Sequence, residues 1–382
     1  MNPQPTILVA CDKFKGSLGA ADACAAIARG LAKSMPGARI DVHPIADGGE
    51  GFAESLRGPL HGRWVGIAAH DPLGRPITAR YVLGEADGGS VAVVEMAEAS
   101  GMWRVAREDR DILRSNTFGT GELMRHAVVE SNAARLIVGL GGSATNDGGA
   151  GMAAALGVRF RDADGATLEP FPAAMAGRLA TMDRAERIPL PPVSAACDVD
   201  HPLLGPRGAS RVFGPQKGAG ETEMPILEDA LGRMVRAADA ACAAEAPGAG
   251  AAGGLGFGLM AFAGAELVPG FDLVARLTGL ERWVLDADLV VTGEGSLDAQ
   301  SLGGKGPVAL ARLAKAMGKP VVAFCGSAED DILRAGLFDE VVELQATGLP
   351  LETLMLEAES LLGDLAERFG NSSSTKIFRN ET

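Results

Sequence analysis

The segment LIVGLGGSATNDGGAGMAAALG, residues 136–157, decides the fold class. The short apolar run Leu136-Ile137-Val138 enters a turn crowded with glycines, and an alanine-rich segment leaves it. That order reads as a buried strand, a glycine-rich turn and a helix, the repeating unit of an α/β sheet. Glycine lets the backbone take positive φ and approach a ligand closely. The helix start offers N–H groups to an anion. Gly141, Gly142, Ser143, Thr145, Asn146 and Asp147 are therefore candidates to bind substrate or phosphate. Asn-Asp-Gly-Gly is also ordinary turn chemistry, so the segment alone leaves a tight turn and an anion site both open.

Working outward, the same grammar recurs. Residues 7–10 (ILVA) run into CDKFKGS (11–17), and helical spacing follows over 18–33. Residues 39–45 end in ADGGEG (46–51), and residues 288–292 end in GEGSLD (293–298). A helix over 308–317, strands over 320–325 and 340–344, and an amphipathic helix over 351–369 complete that end. In between, 64–68, 76–82 and 90–96 read as strands joined by turns, with a more antiparallel character. A helix over 122–131 follows SNTFGTG, a strand over 193–197 ends in DVDH, and 226–244 is again helical. The expected architecture is α/β in two domains. A doubly wound parallel-sheet domain is built from both termini (1–61 and 283–370), and an α/β domain with a mixed sheet is inserted over 62–282. Residues 371–382 read as a polar, disordered tail.

The bulk properties exclude several classes. The 382 residues carry a formal net charge of −14, so a positive field for nucleic acid or an anionic membrane is missing. Aromatics are only 4%, too few for a base-stacking platform. The five cysteines (Cys11, Cys24, Cys197, Cys242, Cys325) are scattered without metal spacing and suit a reducing cytoplasm. The start MNPQPTILVA carries no secretory pattern. The uncharged run over 246–265 is interrupted by Pro247 and glycines and reads as a loop entering a buried helix. No GxxxxGK[ST], HExxH or GxSxG occurs. Gly139, Gly141 and Ala144 form G-x-G-x-x-A with Asp162 about 20 residues on, which keeps an NAD-dependent hydroxy-acid dehydrogenase as an alternative. Asp162-Ala163-Asp164-Gly165 looks more like a hairpin turn. A non-catalytic, two-lobed organic-acid-binding protein is the other alternative.

In so acidic a chain the isolated cations are informative. LLGPRGASRVFGPQKGAG (203–220) holds Arg207, Arg211 and Lys217 and no acid. Lys13 and Lys15 follow the first strand. Arg and Lys on glycine-rich loops suit phosphate oxygens. Carboxylates stand at expected strand ends: Asp47, Asp147, Asp198, Glu294 and Asp298. Phosphoryl transfer needs Mg²⁺ on oxygen ligands, a proton acceptor for the nucleophile, and cations over the transferring charge.

Taken together, the motifs resemble the bacterial-type glycerate kinases of the first class. The resemblance rests on CDKFKGSL (11–18), ADGGEGF (46–52), SNTFGTGEL (115–123), GLGGSATNDGGAGMAAALG (139–157), ACDVDHPLLGPRGASRVFGPQKGA (196–219), PGAGAAGGLGFGLMAFAGAEL (247–267) and DLVVTGEGSLDAQSLGGKGPVALA (288–311). The chain departs from common forms of these motifs at Lys13, Ser296 and Gly303. The resemblance implies a flavodoxin-like terminal domain and ATP-dependent phosphorylation of D-glycerate at its 2-hydroxyl, with the 3-hydroxyl as the alternative, and with Mg²⁺ required. With the charge balance already disfavouring a nucleic-acid or membrane partner, the expected partners are D-glycerate and ATP, with room for a homo-oligomer. The candidate catalytic residues are Asp47, Asp198, Lys13 and Lys217, with Asp47 or Asp198 as base. Lys15, Arg207 and Arg211 join the glycine-rich turn in binding substrate or phosphate, and Glu294 and Asp298 are the metal candidates.

Overall fold

The computed structural model describes residues 4–46, 48–298, 301–303 and 306–373. The candidate base Asp47 and residues 374–382 of the expected tail lie outside the described residues. Residues 371–373 belong to the closing helix Ala358–Ser373. Along the chain the strands are β1 (Thr6–Val9), β2 (Arg39–Val42), β3 (Arg63–His70), β4 (Pro76–Ala86), β5 (Gly89–Glu95), β6 (Arg135–Gly139), β7 (Arg159–Arg161), β8 (Thr181–Asp183), β9 (Val193–Ala196), β10 (Glu266–Val268), β11 (Leu289–Leu297), β12 (Val321–Ala328) and β13 (Glu340–Glu343).

The chain divides into two compact units: residues 1–47 with 271–382, and residues 48–270. The inserted unit therefore opens at Gly48 rather than near 62 and closes at Gly270 rather than near 282. Packing explains both junctions. The short helix Phe52–Arg57 is held by Glu95 at the end of β5, whose carboxylate accepts the Gly51 and Ala53 N–H groups. Phe271, Leu280 and Val284, on two helices after Gly270, pack instead with Leu8 and Val290 of the terminal unit.

The terminal unit holds one parallel sheet in the order β2-β1-β11-β12-β13. Counted within the unit this is 2-1-3-4-5, the flavodoxin-like order. The continuous apolar runs of its strands follow from helices on both faces. Ile7, Val9, Leu289 and Val291 face Ile27, Leu31, Leu362 and Phe369 on one side. Leu8, Val290 and Val321 face Leu310 and Ala314 on the other. Each such Leu or Val contributes about 1.5–3 kcal/mol by leaving water. The order reverses between β1 and β11, so the switch point lies at their carboxyl ends.

The inserted unit holds a six-stranded mixed sheet, β10-β9-β6-β5-β4-β3. Its first four strands run parallel, and β5-β4-β3 form an antiparallel meander. The β4–β5 hairpin turns on Asp87 and Gly88, both at positive φ, as a two-residue hairpin turn demands. The pairings Glu95–Gly139 and Gly139–Ala196 bring the carboxyl ends of β5, β6 and β9 to one edge. No helix among the described residues is long and apolar enough to cross a membrane. The run over 246–265 forms short, largely buried helices.

Candidate active site

The glycine-rich turn leaves β6 at that shared edge. Two of its contacts show why glycine is required. A Cβ at Gly141 would stand 2.2 Å from Gly49 Cα, and one at Gly253 (φ +67°) would stand 1.9 Å from Thr145 O. Here backbone approaches backbone. Asp147 then closes the turn: Oδ2 accepts Thr117 N and Thr117 Oγ1 at 2.8 Å and Gly151 N at 2.9 Å, and Oδ1 accepts Gly149 N at 3.2 Å. Ala150 N donates to the Asp147 carbonyl and Met152 N to Thr117 Oγ1. The N–H groups at the start of helix Ala150–Ala155 are thus taken by the chain. The anion seat expected there is filled by the protein's own carboxylate, because a buried helix start must find acceptors. Asp147 is in that respect a capping group.

The cation of the turn comes from farther along the chain. Lys217, on the turn Pro215–Lys217, is only 2% exposed. Its Nζ donates to Ser143 Oγ and to Thr145 O, both at 2.7 Å. Burial pulls the Lys217 ammonium down to about 7, and the charge of Asp147 opposes that fall. Burial also pushes the Asp147 carboxyl up, against its hydrogen bonds from Gly151, Thr117 and Gly149. Asn146 Nδ2 donates to Ser210 Oγ at 3.0 Å. Thr145 Oγ1 and Asn146 Oδ1 are buried without a hydrogen-bond partner among the described residues. Such atoms cost about 1–3 kcal/mol each, and a ligand polar group is one partner that would satisfy them.

The remaining candidates of this unit are more open. Asp198 follows β9 and is exposed, and its Oδ1 accepts Gly270 N at 2.8 Å. Arg211 is exposed on helix Ala209–Phe213, next to the Ser210 that binds Asn146. Arg207 is turned to an exposed ion pair with Asp200 at 3.1 Å. Gly142 (φ +73°) offers its carbonyl to Met102 N. Asp162, the acid of the dinucleotide alternative, sits in a turn, accepting Asp164 N and Ala166 N and pairing with Arg178. A cleft of about 670 Å³ bordered by His70, Arg125 and Glu186 contains none of the candidate residues.

In the terminal unit the acids gather at the switch point. Asp12 N donates to Gly293 O at 2.8 Å, which locks the end of β1 against β11. Asp12 is buried, and its Oδ1 accepts Lys13 N at 2.6 Å with Lys13 Nζ at 4.0 Å. Glu294 and Asp298 are joined through one serine: Ser301 Oγ donates to Glu294 Oε1 at 2.7 Å, and Ser301 N to Asp298 Oδ1 at 3.1 Å. No group of three or more His, Cys, Asp or Glu that could hold a metal forms among the described residues. Two carboxylates fit Mg²⁺ nonetheless, since it takes hard oxygen donors and is usually bound by one or two carboxylates plus substrate phosphates and water. Lys15 is exposed nearby in sequence.

Sequence reasoning missed Asp12 and Glu95. Both are acids that end an apolar strand and are buried. An ionisable residue closing a run such as SVAVVE was the available signal, because a buried carboxylate must be partnered.

The model of the Glycerate kinase family matches residues 7–373. A glycerate kinase of Halalkalibacterium halodurans is 39% identical over 97% of this chain and 98% of its own. A glycerate 2-kinase of Escherichia coli is 42% identical over 85% of this chain and 86% of its own. The crystal structure of a candidate glycerate kinase 2 from Salmonella typhimurium LT2 superposes with a TM-score of 0.83 at 38% identity, covering 97% of this chain and 99% of that one.

Proposed function

The chain belongs to the glycerate kinase family, and from that premise we propose that it transfers the γ-phosphoryl group of ATP to the 2-hydroxyl of D-glycerate, as a cytoplasmic enzyme of the family's first class. The products are 2-phosphoglycerate and ADP. The observation that carries the reading is the Lys217 ammonium, buried and held by Ser143 and Thr145 of the glycine-rich turn beside two unsatisfied buried oxygens. A preorganised cation away from water is worth most where charge moves during transfer. The name of the Escherichia coli relative supports the 2-hydroxyl.

Lys217 and Arg211 bind the anionic groups, and Ser143 and Thr145 orient them. Asp198 takes the proton of the attacking hydroxyl as the new O–P bond forms and the bond to the β-phosphate oxygen breaks. Glu294 and Asp298 would hold Mg²⁺, which when bound neutralises the phosphate oxygens of the donor. Lys13, beside buried Asp12, stays with the terminal unit's acids.

A coupled assay of ADP release with D-glycerate, followed by phosphorus NMR of the product, tests this. A phosphate on the 2-oxygen couples to one proton and gives a doublet. A triplet from the 3-position overturns the regiochemistry, and no glycerate-dependent ADP overturns the reading. Asp198→Asn should lower kcat more than about tenfold; a smaller loss removes Asp198 as base.

A further inference from the structure

The terminal unit contains a cavity of about 470 Å³. It is lined by Phe14 and Lys15 after β1, by Gly295 and Ser296 of β11 and by Gly326 and Ser327 of β12. Leu344, Leu354 and Met355 line it as well. We propose that this cavity takes the adenine and ribose of the phosphoryl donor, a purine nucleoside triphosphate. The proposal rests on the kinase reading above and adds which unit binds the nucleotide, and through which residues.

Four observations converge on it. Position comes first: the cavity lies at the carboxyl ends of β1 and β11, where the 2-1-3-4-5 order reverses and open parallel sheets bind their ligands. Its volume falls within the roughly 300–1,000 Å³ of small-molecule sites. Shape comes next. A Cβ at Gly326 would meet Gly295 O at 2.3 Å, and one at Gly295 would meet Lys15 N at 3.1 Å. Only backbone fits there, which leaves a smooth surface for a flat ring.

The third observation is chemical. Leu351 is 72% exposed and Met355 is exposed beside it, so apolar surface stands open to water at the cavity wall. An aromatic base covers such surface favourably, while Ser296, Ser327 and the Gln345 amide offer hydrogen bonds to base or ribose. The fourth is charge. Lys15 is an exposed cation lining the cavity, with no ion pair among the described residues. Glu294, the metal-holding candidate, immediately precedes Gly295 on the same strand. Apolar surface, hydrogen-bonding groups and a cation thus line one cavity, with a carboxylate at the strand residue preceding its wall.

Photolabelling of the full chain with 8-azido-ATP and Mg²⁺, followed by peptide mapping, tests the site. Label within residues 12–18 or 344–358, suppressed by excess ATP, is the expected result; label confined to residues 48–270 overturns it. Ser327→Trp fills the cavity, and Leu351→Glu changes only its exposed wall. Each should raise the KM for ATP by about tenfold or more and leave that for glycerate within about twofold. An unchanged KM for ATP in whichever variant folds overturns the proposal. Label in the cavity without glycerate-dependent ADP release keeps the nucleotide site and rejects the phosphoryl acceptor.

Discussion

The carboxyl ends of β6 and β11 read alike in sequence, an apolar parallel strand running into glycine and then Ser, Thr or acid, although β11 stays extended through Leu297. They put charge to opposite uses. In the inserted unit Ser143, Thr145, Asn146 and Asp147 are buried, and Lys217 is drawn in among them. In the terminal unit Glu294 and Asp298 are only half-buried and are joined by a single serine. The first arrangement withholds a cation from water, so its field is strong and its ammonium is driven toward neutrality. The second leaves two carboxylates partly exposed, the setting that the proposed Mg²⁺ would need. One sequence grammar thus yields a buried cation seat in one unit and half-buried carboxylates in the other, and the difference lies in burial.

The largest expected effect tests the buried side. Lys217→Met should lower kcat by about 10²–10³-fold, the cost of losing one preorganised charge donor, as measured in steady-state assays. If it proved milder than Glu294→Gln, the comparison would be reversed. The pH profile sharpens the same point. With Lys217 drawn down to about 7 and acting as a cation in the proposed role, kcat/KM for glycerate should fall as pH rises through that value. Lys217→Arg should carry the falling limb to higher pH, because guanidinium stays charged. The sign for stability is opposite. Between about pH 7 and the free lysine value of about 10.4 the unfolded chain binds the proton more tightly, so this residue's contribution to stability rises with pH. Urea midpoints of wild type and Lys217→Met across that window should diverge in this sense.

Asp147→Ala should act through structure. Loss of a helix cap and of four accepted hydrogen bonds should lower unfolding stability by about 1–3 kcal/mol, read from urea denaturation. On the open side, Glu294→Gln should raise the Mg²⁺ needed for half-maximal activity by about tenfold, with little change in urea midpoint. The smallest effects belong to the exposed arginines. Arg207 is engaged with Asp200 in a surface pair worth less than about 1 kcal/mol. Arg207→Ala should therefore change turnover and stability little, whereas Arg211→Ala should raise the KM for glycerate several-fold.

Much of the fold was legible in the chain. The runs at 7–10, 136–138 and 288–292 are strands because a parallel sheet covered on both faces demands continuous apolar residues. The Asp87-Gly88 turn was legible because a tight hairpin needs positive φ at both positions. The junctions at Gly48 and Gly270 were not, since they depend on which core Phe52 and Phe271 enter. The candidate site was legible as a set of residue types but not as roles. Asp147 and Asp198 look alike in sequence, yet one is a buried cap and the other is exposed. Asp12 and Glu95 were overlooked although each ends an apolar run.

By itself the sequence determined the α/β rhythm, the glycine-rich turns and the family resemblance, all of which are written in neighbouring residues. Only the tertiary structure decided which polar groups are spent on the fold and which remain for chemistry. The reason is distance along the chain: Asp147 finds Thr117 30 residues away, and Lys217 finds Ser143 74 residues away. A side chain's charge state and free valence are set by such partners and by burial, and neither exists until the chain has folded.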